Sequence, residues 1–252
     1  MKLLRIGEQG KERAAVLDAK GRLRDLSALI IDVGGETLLP ENLAGLVTTE
    51  ISALPVIEGP RRVGPCVAGV GKIVCVGLNY RDHAAEAALP IPSEPILFLK
   101  PTSAIVGAED DVEIPPGAEK TDWEVELGVV IGRPGRYLPL EHAMSHVAGY
   151  CVVNDLSERA YQMERGGQWD KGKACDTFAP LGPWLVTKDE VPDPQARDGK
   201  HKVAVTLGIS NGAKPRYWPD SRKANKLCCN KKAEHAALRG TSGAPPGLGF
   251  PG

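Results

Sequence analysis

A β-dominated α+β fold follows from three features of this sequence. Short segments that are continuously apolar or strictly alternating recur along the chain, the patterns of buried and half-buried strands. Helical patterns are few and short. Turn signals built on glycine, proline and asparagine separate the segments. There is no internal repeat, no heptad pattern and no glycine-rich phosphate loop, so a strand-rich roll or barrel with small helical decorations is expected. The 252 residues suffice for one large domain, or one large and one small.

Residues 1 to about 65 predict a small β-rich module. KLLRIG and AAVLDAKGRLRDLS alternate, and Asp18-Ala19-Lys20-Gly21 is a hairpin signal. Leu26 to Leu46 has room for a short helix or two. IEGPRRVGPCVAGVG is a linker rich in glycine and proline. A larger domain is expected over residues 72–225, and an atypical basic tail over residues 226–252. The domain opens with KIVCVG, a buried strand. Asn79 caps a helix through YRDHAAEA, which Leu89-Pro90-Ile91-Pro92 ends. ILFLK is the next strand, and Pro115-Pro116-Gly117 a turn. DWEVELGVVI, from Asp122 to Ile131, alternates as one strand. Leu140 to His146 is a short helix, VAGYCVVNDLS a strand, and SERAYQMERGG helical up to Gly166-Gly167. GPWLVT is a strand, VPDPQ a turn, and KVAVTLGISNG a strand entering an Asn-Gly hairpin.

Composition excludes several function classes. No apolar run approaches the roughly 20 residues that span a bilayer. The start, MKLLRIGEQGKERAAV, is charged too early for a signal peptide. Six cysteines occur without a CxxC pair, and Cys75 and Cys151 sit inside apolar runs, so a reduced, cytoplasmic setting is expected. The net charge of -1 divides unevenly. From Pro194 to Gly252 there are 11 Lys+Arg and 3 Asp+Glu, a net of +8, which leaves -9 on the first 193 residues. That tail lacks the aromatic interleaving of a nucleic-acid module, so nucleic-acid binding is not expected. A truncated or frame-altered end accounts for the split better.

The chemistry concentrates in a few places. Glu124 and Glu126 are i and i+2 on a predicted strand and point to one face, with Trp123, Val125 and Leu127 on the other. Alone, such a pair is an ordinary solvated strand face. Asp155 ends another apolar strand, YCVVND, and can join the same site. Three carboxylates without His or Cys suit a hard cation, Mg²⁺ or Mn²⁺. His83 and Glu86 are i and i+3 on a helix, a pairing that orients and strengthens an imidazole base, or an ordinary surface pair. Lys173 lies between Trp169 and Phe178 in QWDKGKACDTF, placed to hold a carboxylate or an enolate oxygen, or else a solvated loop lysine.

Together GLNYRDHAAEA, PILFLKPTSAIVG, DWEVELGVVIG, GYCVVNDLSERAYQ and KGKACDTFAPLGPWLVT resemble the fumarylacetoacetate hydrolase superfamily over roughly Met1 to Gln195. The resemblance implies a β-roll catalytic core behind a small N-terminal module, a Mg²⁺ or Mn²⁺ site and a homodimer. It assigns the metal to Glu124, Glu126 and Asp155, and water activation to His83 with Glu86. It makes Lys173 the active-site lysine and gives substrate contact to Arg159, Gln162 and Lys100, the last as another lysine near the site. The implied reaction hydrolyses a C–C bond in a small-molecule 2,4-dioxo acid, leaving a pyruvate enolate. Decarboxylation of oxaloacetate, isomerisation or hydration of 2-hydroxy-dienoates, and ureidoglycolate lyase action are the rivals within the family. A binding protein that keeps the fold without the activity is the rival outside it. After about Asn225 the resemblance stops.

Overall fold

The computed structural model describes residues 1–79, 84–85, 88–191, 193–194 and 205–208. Ten strands make one sheet. Its N-terminal part is β1 (Lys2–Ile6), β2 (Arg13–Leu17) and β3 (Leu23–Asp25), joined by antiparallel pairing. The predicted hairpin turn forms between β2 and β3, where Asp18 Oδ1 accepts from the Lys20 and Arg22 amides at 2.9 Å. A 3-10 turn (Gly35–Leu38) and helix α1 (Pro40–Val47) follow. Then come β4 (Lys72–Gly77), β5 (Ile96–Lys100), β6 (Ile105–Gly107), β7 (Thr121–Asp122), β8 (Val125–Ile131), β9 (Val147–Asn154), β10 (Ser157–Glu158), β11 (Ala179–Thr187) and β12 (Val205–Gly208). The order across the sheet is β3-β2-β1-β11-β9-β8-β12-β4-β5, with β6 parallel to β11. β7 and β10 form a separate two-stranded ladder.

The N-terminal strands extend the main sheet, because β1 pairs antiparallel with β11 (Leu3↔Leu185). A partly buried ion network fastens the same junction. Arg62 donates to Glu12 at 2.7 Å and to Asp110 at 2.6 Å, while Arg5 pairs with Asp32 at 2.7 Å. At the other end β12 lies between β8 (parallel) and β4 (antiparallel), covering the edges of both.

Alternation along the strands decides which side is core. Val130, Cys151, Val153 and Ile73 pack inward with Leu181 and Phe98. Val129, Val147 and Tyr150 form a smaller cluster. Burial of each large aliphatic contributes about 1.5–3 kcal/mol. Cys75 and Cys151 are free thiols inside this packing, as the apolar runs around them predict.

Two local expectations need correction. Residues 122–131 are not one strand, because the pairing breaks at Trp123 and Glu124. β7 pairs with β10 while β8 pairs with β9, so the chain changes partner there. Lys173 is not on a loop either; it closes the short helix α3 (Asp170–Lys173), which follows α2 (Arg159–Met163). Of the helix predicted through YRDHAAEA, only Ala84 and Ala85 are described. The Asn-Gly hairpin and the basic tail lie outside the described residues. No helix among the described residues is long and apolar enough to cross a membrane.

Candidate active site

Glu124, Glu126, Asp155, Arg159, Gln162 and Lys173 line one cleft of about 140 Å³ at the end of β4. The strand layout brings them there. Glu126 is the second residue of β8, in register with Val153, and Asp155 directly follows β9. Glu124 stands in the break between β7 and β8, held by backbone: its carbonyl accepts from the Asp155 amide at 2.8 Å. Its own amide donates to Asn154 Oδ1 at 3.2 Å. The gap in pairing therefore sets Glu124 beside Asp155.

α2 and α3 bring the cations. Glu158 caps α2, accepting from the Ala160 amide at 3.1 Å, and also accepts from Thr121 Oγ1 at 2.8 Å. Burial works against its charge, but these bonds and that from the Lys120 amide hold its carboxyl below the usual glutamate range. α3 approaches this segment closely because residue 172 is glycine. A Cβ there would sit 2.3 Å from Glu158 O and 2.7 Å from Gln162 Cβ. That approach carries Lys173 into the site.

Lys173 Nζ donates to Asp155 Oδ2 at 2.7 Å and to Glu124 Oε2. Arg159 Nη2 donates to Glu124 Oε1 and Asp122 Oδ2, both at 2.7 Å, and Arg159 Nη1 to Gln162 Oε1 at 3.0 Å. Burial alone would raise the Glu124 pKa, but Lys173 and Arg159 pull it down to about 2. Burial opposes the charge on Lys173 too, and Asp155 with Glu124 outweigh it, so the ammonium persists above the ordinary lysine range.

Lys100 does not line the cleft. Lys100 and Phe98 share the inward-pointing phase of β5, and the Lys100 side chain is 0% exposed. Its Nζ donates to the carbonyls of Leu156 (2.8 Å), Lys173 (2.6 Å) and Phe178 (2.9 Å) and lies 2.9 Å from Asp155 Oδ1. With its donors taken up below the cleft, it positions Asp155 and Lys173, and the substrate contact suggested by sequence gives way to that role. Burial lowers its pKa, against the pull of Asp155. His83 and Glu86 lie outside the described residues.

Glu124, Glu126 and Asp155 line one cleft and offer oxygen donors alone, the chemistry that suits a hard divalent cation. As they stand, Lys173 bridges Glu124 and Asp155. Among the described residues no three His, Cys, Asp or Glu side chains converge at ligand spacing.

Residues 72–218 match the family model described as fumarylacetoacetate (FAA) hydrolase, C-terminal. The chain belongs to the fumarylacetoacetate hydrolase family. A curated relative from Burkholderia multivorans, named "Putative hydrolase", is 58% identical over 198 residues, or 79% of this chain and 70% of the relative. The fumarylacetoacetate hydrolase of Exiguobacterium antarcticum superposes with TM-score 0.61 at 32% identity, over 75% of this chain and 67% of that one. A maleylpyruvate hydrolase from Sphingobium sp. SYK-6, solved with manganese(II) and pyruvate, gives TM-score 0.62 at 27% identity, over 77% of this chain and 70% of that one. The strand-rich fold is the one these solved family members share, and the relatives described here are hydrolases by name.

Sequence reasoning did not single out Asp122, Ser157, Glu158 or Gly77. Asp122 and Glu158 act as partners of Arg159 and Lys120, across a ladder no local pattern announces. Gly77 is required by a contact with Trp169, 92 positions on.

Proposed function

We propose that this chain is a metal-dependent hydrolase that cleaves a C–C bond in 2,4-dioxo acids. The observation that carries the reading is Lys173, whose ammonium joins Glu124 to Asp155 at the floor of a cleft lined by three carboxylates. The maleylpyruvate hydrolase neighbour, solved with manganese(II) and pyruvate, supports it.

Glu124, Glu126 and Asp155 would hold Mg²⁺ or Mn²⁺, which when bound supplies Lewis acidity toward an oxo acid. Lys173 offers positive charge where an enolate oxygen develops, and Arg159 with Gln162 orients the substrate. Water adds to C4, the C3–C4 bond breaks and its electron pair moves to the pyruvate enolate. Protonation at C3 then gives pyruvate beside the carboxylic acid. Activation of the water falls to His83 with Glu86 by family resemblance.

The test is pyruvate release from an acylpyruvate against CO₂ release from oxaloacetate, each with Mg²⁺ or Mn²⁺ added. Pyruvate release that Glu124→Gln abolishes is expected. CO₂ release alone would reassign the chain to decarboxylation. Absence of Mg²⁺ and Mn²⁺ binding, with Glu124→Gln silent, would leave a non-enzymatic member of the fold. A homodimer is proposed alongside. Leu97 and Leu99 on edge strand β5 are 60% and 54% exposed, and light scattering on the purified chain decides it.

A further inference from the structure

We propose that the cleft selects 2-oxo acids whose far end is uncharged and apolar, and that Trp169 sets this preference. The inference rests on the reading of the site as an acylpyruvate-cleaving centre and names its substrate class.

The lining of the cleft divides by chemistry. Glu124, Glu126 and Asp155 with Arg159 and Lys173 make its charged part. Leu89, Phe98, Met163 and Trp169 make an apolar part. The apolar part is built. Trp169 meets Phe98 edge to face with ring centroids 5.7 Å apart. Its indole also lies against the backbone at the end of β4, where a Cβ on Gly77 would stand 2.4 Å from Trp169 Cζ3. Lys173 Nζ lies 5.0 Å from the centroid of the Phe98 ring, so the two parts meet at the residue that bridges the carboxylates. Leu89 and Met163 remain 47% and 57% exposed, apolar surface at the cleft that a ligand can cover.

Charge decides which ligand that is. The two cations on the lining are engaged: Lys173 with Glu124 and Asp155, Arg159 with Asp122 and Glu124. Among the described lining residues no further Lys, Arg or His faces the apolar part. A second carboxylate pushed against Trp169 and Phe98 would lose its water, and the described lining offers it no free cation in return. An alkyl or aryl acyl end would gain from burial and from contact with the indole.

The test compares an alkanoylpyruvate with the ω-carboxyalkanoylpyruvate of matched length, reading kcat/KM for pyruvate release with Mn²⁺ present. The wild-type chain is expected to favour the uncharged substrate about 10- to 100-fold, the scale on which an apolar pocket discriminates. Trp169→Ala should cut that ratio about tenfold, mainly through KM, and Trp169→Arg should move it toward the carboxylate. A ratio near one, a preference for the carboxylate, or a ratio that Trp169→Ala leaves intact overturns the proposal. A second measurement separates this from the reaction itself. Calorimetry reads the Kd of a saturated 2-oxo acid against the 2-oxo dioic acid of the same length. If neither acylpyruvate releases pyruvate, the proposed reaction fails while the Kd ratio still decides the preference. Equal Kd values, or no binding of either acid, overturn the preference.

Discussion

Replacing Lys100 with methionine removes a buried ammonium while nearly keeping its volume. The side chain is fully enclosed and its Nζ has four oxygen neighbours: three carbonyls between 2.6 and 2.9 Å, and Asp155 Oδ1 at 2.9 Å. Breaking a buried ion pair by deleting one partner costs about 3–5 kcal/mol. Each carbonyl left without a donor adds about 1–3 kcal/mol before relaxation. Against this, the variant no longer desolvates an ammonium, and burial already holds the Lys100 pKa below the ordinary lysine value. Asp155 also keeps Lys173 at 2.7 Å. The opposing effects leave a net loss of about 3–5 kcal/mol. In a chain of this size each kcal/mol moves Tm by about 2–4 °C, so Lys100→Met should melt about 6–20 °C lower. Circular dichroism melts and urea titrations of the full chain read this directly. A fall below about 3 °C, together with a raised KM, would mean that Lys100 meets substrate, and the positioning argument would be refuted.

Three further outcomes follow from the same geometry. Gly77→Ala places a methyl 2.4 Å from Trp169 Cζ3, so the indole must move; a loss of about 1–3 kcal/mol is expected, with a change in tryptophan emission that disappears in a Trp169→Phe background. Glu158→Gln turns an acceptor-only group that serves Lys120, Thr121 and Ala160 into one that also donates. It should lower the urea midpoint by the equivalent of about 1–3 kcal/mol, and an unchanged midpoint would show that the cap is dispensable. Glu124 has its pKa drawn from 4.5 down to about 2 in the folded chain, so folding favours its ionised form. Its contribution is complete above pH 4.5 and drains away as pH falls toward about 2. Thermal stability should therefore drop over that window, and Glu124→Gln should make the drop shallower; parallel pH profiles would contradict the pairing with Lys173 and Arg159.

What could be read in the sequence was whatever one segment determines. KIVCVG, ILFLK and YCVVN carry their burial in their own composition, and each became the strand expected. The Asp18–Gly21 turn carries its geometry in the spacing of Asp and Gly. Glu124 and Glu126 are legible as an i, i+2 pair and Asp155 as a carboxylate ending an apolar strand, and all three line one cleft. The misreadings lie where a second segment decides. DWEVELGVVI alternates throughout, yet its strand breaks because β10 claims Thr121 and Asp122 while β9 claims Val125 onward. No pattern within those ten residues encodes that exchange of partners. Lys100 and Lys173 looked alike as lysines near a site. Their difference is the depth of the surface each reaches, a property of how β5 packs beneath α3.

That difference organises the charge of the whole cleft. Asp122, Glu124 and Asp155 are linked through shared cations, Arg159 joining the first two and Lys173 the last two. Lys100 is enclosed below Asp155, where three carbonyls accept from its Nζ. Lys173 lines the cleft and places its Nζ between Glu124 and Asp155. Arg159 fixes the far oxygen of Glu124 and the carboxylate of Asp122. Glu124 is thus held ionised by Lys173 and Arg159, and the fold offsets part of the electrostatic cost of placing it beside Asp155. Because Lys173 occupies the place between Glu124 and Asp155, it is the side chain whose position should change most if a divalent ion takes up that place.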